Sequence, residues 1–113
     1  MIPNNKNPHS EHEIMNQIQL WCGTHNLLCF RANVGGVLTH DGRYFQTGLP
    51  KGFPDLFIIA NKNHLYFVET KTLKGRQRTE QIAFERMCMQ REIPYKICRS
   101  LSDFVEWITP HLK

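Results

Sequence analysis

The sequence predicts one α/β domain in which helices pack against a single β-sheet. Short apolar runs rich in β-branched and aromatic residues predict the strands, and apolar residues at helical spacing predict the helices. The clearest runs are 55–60 and 64–71, which flank Asn61-Lys62-Asn63 and therefore predict a hairpin. The chain has 113 residues, which is enough for one modest core without a separate recognition domain.

The remaining elements follow from capping and breaking signals. Ser10 and Glu13 have the spacing of a capping box, so the first helix should begin directly after Ser10. The other predicted elements are a strand at 27–31, a helix from 78 or 79 to about 92, a strand at 95–98 and a terminal helix capped by Ser100 or Ser102. We expect residues 1–8 to form a flexible arm and residues 35–54 a long loop or loose hairpin.

Two acids and a lysine are expected to meet at one end of the predicted hairpin. Asp55 stands fourteen residues before Glu69, and Lys71 follows Glu69 on the same face of its strand. Burying an unpaired carboxylate costs roughly several kcal/mol, and a divalent cation would remove this cost. Mg²⁺ takes carboxylate oxygens, waters and phosphate as ligands, so the pattern points to metal-assisted phosphodiester hydrolysis.

Lys71 would then position or deprotonate the attacking water, or neutralise the developing charge. The alternative is that Glu69 and Lys71 form an ordinary surface ion pair on an edge strand. Because both faces of the strand are apolar until the charges begin, we expect a central strand covered on both sides instead.

Two further polar residues are candidates for the same site. Glu11 lies in the apolar stripe of the first helix and should point inward, as a third metal ligand or as a complement to the helix dipole. Gln81 lies beside the apolar seam near the start of the second helix. It could hold the attacking water, a phosphate oxygen or Lys71, or it could be an ordinary solvated residue.

Taken in order, these residues resemble the VRR-NUC domain, a virus-type replication and repair nuclease group of the PD-(D/E)XK superfamily. The resemblance extends over about residues 10–105. It is carried by Ser10-Glu11 with Ile14 and Ile18, Phe30-Arg31-Ala32-Asn33-Val34-Gly35-Gly36, Gly48-Leu49-Pro50-Lys51-Gly52-Phe53-Pro54-Asp55-Leu56, Val68-Glu69-Thr70-Lys71, Gly75 and Gln81.

The resemblance implies a restriction-endonuclease-like core, with a mixed central β-sheet flanked by α-helices, and a Mg²⁺- or Mn²⁺-dependent nuclease. The implied metal ligands are Glu11, Asp55, Glu69 and the carbonyl of Thr70. Lys71 corresponds to the catalytic lysine, and Gln81 to the glutamine typical of this group. The chain is similar to the minimal, phage-type stand-alone form, whose members are associated with homodimers that act on branched DNA such as four-way junctions.

The charge distribution favours a polyanionic partner. The net charge is +4 and the sequence pI is about 9.0. The expected DNA contacts follow the acid-x-lysine segment or lie beside the same end of the sheet: Lys74, Arg76, Arg78, Arg31, Arg43 and Lys51. Nothing in the sequence resembles a recognition helix or zinc finger, so we expect selectivity for DNA shape more than for sequence.

The leading hypothesis is therefore an endonuclease for branched DNA that acts as a homodimer, because symmetric cleavage of a junction needs two sites. A flap or single-strand nuclease and a non-catalytic DNA-binding module are the alternatives. The four cysteines contain no Cys-x-x-Cys pair and are interpreted as core residues of a cytoplasmic protein, although a zinc cluster of Cys22, His25 and Cys29 is conceivable. No apolar run is long enough to span a bilayer.

Overall fold

The computed structural model of the chain describes residues 9–32, 36–46 and 48–112. The predicted arm at residues 1–8 lies outside these ranges. The elements, in chain order, are α1 (Glu11–Thr24), β1 (Leu28–Arg31), β2 (Gly36–Leu38), β3 (Tyr44–Gln46), β4 (Leu56–Ile59), β5 (Leu65–Thr70), α2 (Thr79–Gln90), β6 (Tyr95–Cys98), α3 (Leu101–Ile108) and a closing 3₁₀ turn, Thr109–Leu112. The predicted helices and strands are thus confirmed, with ends that differ by a few residues.

The main sheet has four strands in the order β1-β4-β5-β6. The first three strands are antiparallel neighbours, whereas β6 runs parallel to β5, with Thr70 opposite Cys98. This is the mixed sheet flanked by helices that the resemblance implied. The short strands β2 and β3 pair with each other in a separate hairpin, so part of the predicted loop at 35–54 is the loose hairpin considered above.

Helix α1 begins where its capping residues predict. The Ser10 hydroxyl accepts a hydrogen bond from the Glu13 amide at 3.1 Å, and the Ser10 amide donates to the Glu13 carboxylate at 3.0 Å. Both ends of the capping box are therefore formed, which satisfies two donors that the first helical turn would otherwise leave free. Glu13 is exposed, while Glu11 is half-buried at the start of the same helix.

Each face of strand β5 is covered by different elements, which confirms that it is a central strand. Tyr66 and Val68 join the main core, which α1 and α3 close with residues such as Ile14, Ile18, Phe104 and Ile108. On the other face, the rings of Phe53, Phe67 and Phe84 pack together with centroids 5.2–5.5 Å apart, which attaches α2 to the sheet. Glu69 lies on this second face, two residues after Phe67.

Part of the second face carries exposed apolar side chains. Leu28, Ile59 and Leu65 lie opposite one another on three adjacent strands, and all three are exposed. Phe30 is also exposed, and its ring lies 5.3 Å from that of Phe57. We call Leu28, Phe30, Ile59 and Leu65 the open sheet face.

Gly52 allows the N-terminus of α2 to approach the turn before β4. Its φ angle is +90°, and a Cβ atom built on it would lie 2.4 Å from the carbonyl oxygen of Glu80. A residue with a side chain would be strained at this backbone angle, and its Cβ atom would clash with the backbone of Glu80. The glycine therefore brings the first turn of α2 close to the end of the sheet that carries Asp55.

Replacing Gly52 with alanine is expected to lower the free energy of unfolding by at least about 2 kcal/mol, because backbone strain and a clash with helix backbone add together. Chemical denaturation measures this loss. Gly42→Ala is the matched control, since Gly42 has a φ of +88° and nothing within 4 Å of an added Cβ atom. If the two variants lose equal stability, the close approach of α2 to Gly52 is not what requires glycine.

The cysteines are all free thiols, and Cys22, Cys88 and Cys98 are fully buried. A hydrogen bond between the Cys22 and Cys29 thiols, together with burial, raises the pKa of Cys22. The thiols thus contribute to the core as small apolar groups. In the described ranges, every helix is too short or too polar to span a membrane.

Candidate active site

The site forms where the beginning of β4 meets the end of β5. Leu56, the first residue of β4, pairs with Val68, so Asp55 comes beside Glu69 and Thr70. Lys71 lies one residue beyond β5, and its amide donates to the Cys98 carbonyl at 3.1 Å. Antiparallel pairing of two neighbouring strands therefore brings together three of the residues that the sequence predicted, namely Asp55, Glu69 and Lys71.

Asp55 is held through one of its two carboxylate oxygens. Oδ2 accepts hydrogen bonds from the Thr70 amide at 2.9 Å and from the Thr70 hydroxyl at 2.8 Å. These two donors fix the orientation of the carboxylate. Thr70 therefore orients Asp55 through its amide and hydroxyl, a role that the sequence pattern did not reveal.

Glu69 is the most enclosed charged residue of the site. Its side chain is 1% exposed, and Oε2 accepts a hydrogen bond from Gln81 Nε2 at 2.7 Å. The Lys71 ammonium nitrogen lies 3.6 Å from the same oxygen and is also buried. Glu69 and Lys71 thus form a buried pair on a central strand, so the interpretation as a surface ion pair is wrong.

The electrostatics of the site disfavour a second negative charge. Burial raises the pKa of Glu69 to about 8, and the nearby charge of Asp55 adds to the increase. Lys71 acts in the opposite direction but does not compensate. Without a cation beyond Lys71, Glu69 therefore holds a proton at neutral pH.

Gln81 occupies the third position of α2 and connects the helix to Glu69. Its Oε1 accepts a hydrogen bond from the Arg78 amide at 2.8 Å, while its Nε2 donates to Glu69. One side chain therefore caps the helix start and holds the carboxylate. Gln81 is not an ordinary solvated residue, and its partner in this structure is Glu69, whereas the sequence suggested a water, a phosphate oxygen or Lys71.

The residues present fit a divalent cation at Asp55 and Glu69. Glu69 Oε1 is buried and has no hydrogen-bond partner in the described structure, which is costly for a carboxylate oxygen that no cation contacts. No group of three His, Cys, Asp or Glu side chains within residues 9–32, 36–46 and 48–112 is arranged to hold a metal ion. Glu11 therefore does not form a ready cluster with the other two acids, and its role as a ligand stays a prediction, as does that of the Thr70 carbonyl.

The basic residues expected to contact DNA are exposed. Lys74, Arg76 and Arg78 follow Lys71 in the connection to α2, and Lys51 lies in the turn before Asp55. Arg43 pairs with Asp41 at 3.6 Å in the β2–β3 hairpin. The Arg31 guanidinium is held by side chains of α1, with its Nε donating to Gln19 at 2.7 Å, so it is the one of the six that is most engaged within the fold.

Sequence reasoning missed two residues close to the site. Burial and the charge of Glu69 raise the pKa of Tyr95, whose ring lies on β6 next to β5. Arg99 directly follows β6 and donates hydrogen bonds to the segment after Lys71. Both positions depend on the parallel pairing of β6 with β5, which brings the residue after β6 beside the residue after β5 and which the sequence does not signal.

A mixed sheet that gathers two carboxylates, a lysine and a glutamine at one end defines a nuclease-type domain. The model of the VRR-NUC domain family matches residues 10–102, and the chain belongs to this family. A solved structure described as a VRR_NUC domain has a similar fold, with a TM-score of 0.65 and 16% sequence identity, over 93% of this chain and 100% of that chain. The comparison with curated proteins found no match. The family resemblance noted from the sequence is thus confirmed.

Proposed function

We propose that the protein is a divalent-metal-dependent endonuclease that hydrolyses DNA phosphodiester bonds, with a preference for branched DNA such as four-way junctions. The observation that carries the proposal is the buried Glu69 carboxylate, which has one unpartnered oxygen and lies beside Asp55 and Lys71. A buried acid beside a second carboxylate is expensive in a structural role and useful in a metal site. Phage or bacterial DNA replication, recombination or repair would supply such substrates.

The proposed metal ligands are Asp55 and Glu69, with Glu11 and the carbonyl of Thr70 as further ligands. A bound Mg²⁺ or Mn²⁺ would polarise the scissile phosphate and lower the pKa of a bound water. Thr70 holds one oxygen of Asp55, and Gln81 holds one oxygen of Glu69, which leaves the other oxygen of each carboxylate for the cation. The two ligands are therefore oriented before any cation arrives.

Lys71 supplies the positive charge nearest to the reacting groups in this proposal. Lys71 is 5% exposed, and its ammonium nitrogen lies 3.6 Å from Glu69 Oε2. A buried cation acts in a lower dielectric than water, so it attracts a developing negative charge more strongly. As an ammonium, Lys71 would position the attacking water or neutralise the charge that develops on the phosphate; it would deprotonate the water only as the neutral amine.

The basic residues next to the site would bind the DNA backbone. Lys74, Arg76 and Arg78 are exposed within eight residues of Lys71, and Lys51 and Arg43 extend the positive surface. Contacts with phosphates give affinity and register but carry little sequence information. This supports selectivity for the shape of the DNA over its sequence. Arg31 would contribute only if its guanidinium leaves its partners on α1.

A homodimer is part of the proposal, because symmetric cleavage of a four-way junction needs two active sites. The open sheet face offers a surface that a second copy would cover. Its four apolar side chains lie on three adjacent strands, and an exposed apolar patch of this kind is common at protein interfaces. Ile59 and Leu65 lie at one end of β4 and β5 and the active site lies at the other, so the proposed contact need not cover the site.

Metal-dependent cleavage is the test of the proposed function. Wild-type protein is incubated with a labelled four-way junction, flap, single strand and linear duplex in Mg²⁺, Mn²⁺ or EDTA. We expect cleavage in either metal, none in EDTA, and the fastest cleavage on the junction, with paired symmetric cuts. Glu69→Ala should abolish cleavage, because it removes the carboxylate that the cation would need.

Each alternative predicts a different result in this assay. Faster cleavage of the flap or the single strand would show that the protein is a flap or single-strand nuclease and not a junction nuclease. DNA binding without cleavage in every metal would leave the non-catalytic module. Light scattering that shows only monomers at micromolar concentration would exclude the proposed homodimer and, with it, the basis for paired cuts.

A further inference from the structure

Arg99 is a half-buried residue that anchors the segment following Lys71. It directly follows β6, and its amide donates to the Asp103 carboxylate at 2.8 Å at the beginning of α3. β6 runs parallel to β5, with Thr70 opposite Cys98. The residues that follow these two strands, Lys71 and Arg99, are therefore also neighbours. Arg99 therefore lies beside the proposed active site but is not one of its charged residues, Asp55, Glu69 and Lys71.

The Arg99 guanidinium binds a tight turn at residues 72–75. Nη1 donates to the Thr72 carbonyl at 2.6 Å and to the Gly75 carbonyl at 2.7 Å, with Leu73 further away at 3.4 Å. The turn itself is closed by a hydrogen bond from the Gly75 amide to the Thr72 carbonyl at 3.1 Å. Hydrogen bonds from a charged donor to several carbonyls are stronger than neutral ones, so this contact fixes the turn.

The same turn lies against the side chain of Lys71. A Cβ atom built on Gly75 would lie 3.5 Å from Lys71 Cδ and 3.0 Å from the Thr72 hydroxyl, so the backbone of Gly75 packs close to the aliphatic part of the lysine. This cover helps to explain why Lys71 is buried although the following residues, Leu73 and Lys74, are exposed. An anchored turn restricts the positions available to the ammonium group.

We infer that Arg99 is a positioning residue that fixes the 72–75 turn over Lys71 and so holds the lysine ammonium against Glu69. The inference rests on the proposed function, in which Lys71 acts on the reacting groups. The Arg99 guanidinium donates to backbone carbonyls of the turn, and it acts on Lys71 through the turn. A displacement of about 1 Å at a reacting group can cost about a hundredfold in rate, so loss of the anchor has a large effect on turnover.

Lysine labelling tests the inference without any DNA. Arg99→Met keeps the aliphatic stem and removes the guanidinium. Arg91→Met is the matched control, because Arg91 is exposed and its guanidinium donates to a carbonyl of the preceding helix, that of Met87, at 3.4 Å. Reductive methylation followed by mass spectrometry reports how accessible each lysine is. We expect Lys71 to react at least about fivefold faster in Arg99→Met than in wild type or Arg91→Met. The exposed Lys62 serves as the internal standard and should react equally in all three.

Kinetics provide the second readout. We expect Arg99→Met to lower kcat by about tenfold to a hundredfold while KM for the DNA changes less than about threefold. Arg99→Lys should recover part of kcat, since it restores a cation below the carbonyls with poorer geometry. It also serves as the folded variant if Arg99→Met does not fold.

The outcomes separate this inference from the proposed function. Unchanged labelling of Lys71 in both Arg99 variants overturns the inference, and so does faster labelling with an unchanged kcat. If wild-type protein cleaves no DNA in either metal, the proposed nuclease fails, and the labelling of Lys71 still decides whether Arg99 fixes the turn.

Discussion

Replacing Lys71 with methionine is expected to lower the single-turnover rate of DNA cleavage by about a thousandfold, which is the size of effect seen when a positioned charge or acid–base group is removed. Methionine keeps an aliphatic chain below Gly75 and removes the ammonium group, so the turn at 72–75 retains its support. The only charge removed is the one that lies 3.6 Å from Glu69. Cleavage is measured in Mg²⁺ with enzyme in excess over a labelled junction.

DNA binding by the Lys71→Met variant should change much less than cleavage, since Lys71 is buried and the exposed basic residues remain. Fluorescence anisotropy in EDTA measures this binding. Lys62→Met is the matched control, because Lys62 is exposed in the hairpin loop at the other end of β4 and β5. A Lys71→Met protein that cleaves within about tenfold of wild type would exclude a catalytic role for the lysine.

The metal-free protein is expected to become less stable as the pH rises from 5 to about 8, because of Glu69. The native state raises the pKa of this carboxyl from 4.5 to about 8, so between these values the folded protein holds a proton that the unfolded chain has released. The stabilisation is complete below the unfolded pKa and is lost as the pH rises through the folded pKa. At about 1.4 kcal/mol for each pKa unit, the loss amounts to a few kcal/mol.

Chemical denaturation in EDTA between pH 5 and 8.5 measures this dependence. Glu69→Gln should remove it, since the amide has no charge to release and can still accept the hydrogen bond from Gln81. Glu106→Gln, which changes an exposed acid on α3, should leave it intact. The lowered pKa values of Glu13, caused by the Ser10 amide, and of Asp41, caused by the Thr39 hydroxyl, act below this pH range.

Addition of Mg²⁺ should oppose the effect, because a cation binds the ionised form of Glu69 and stabilises the protein more at pH 8 than at pH 6. Equal slopes for wild type and Glu69→Gln in EDTA would show that the buried carboxyl is not the group responsible. The sign of the slope of stability against pH is the most diagnostic result for the wild type. Acids whose ionised form is stabilised by partners in the native state have a lowered pKa and produce the opposite slope.

Local rules were sufficient to predict that Asp55, Glu69 and Lys71 meet. The two strands are neighbours in the chain, and the pairing of a hairpin follows from its loop, so residues near its open end must approach one another. The start of α1 was equally predictable, because Ser10 and Glu13 satisfy each other within one turn of helix. These features depend on contacts between residues close in sequence.

Other features of the site depend on long-range packing and could not be predicted in the same way. Gln81 reaches Glu69 because α2 packs on the aromatic cluster of β5 and because Gly52 permits a close approach, and no local pattern encodes that geometry. Arg99 reaches the 72–75 turn because β6 pairs in parallel with β5. The sequence of β6 predicts a strand but carries no information about its partner or its direction.

Gln81 hydrogen-bonds both the start of α2 and the Glu69 carboxylate, so motion of this helix end is coupled to the orientation of Glu69. Helix termini fray on fast timescales, and each opening of the first turn of α2 would move the amide that binds Glu69. The hydrogen bond from Gln81 to Glu69 is therefore coupled to the local unfolding equilibrium of the first turn of α2. Any contact that tightens the helix start, including one made by a nucleic acid along Arg78, would stabilise that hydrogen bond without touching the acid itself.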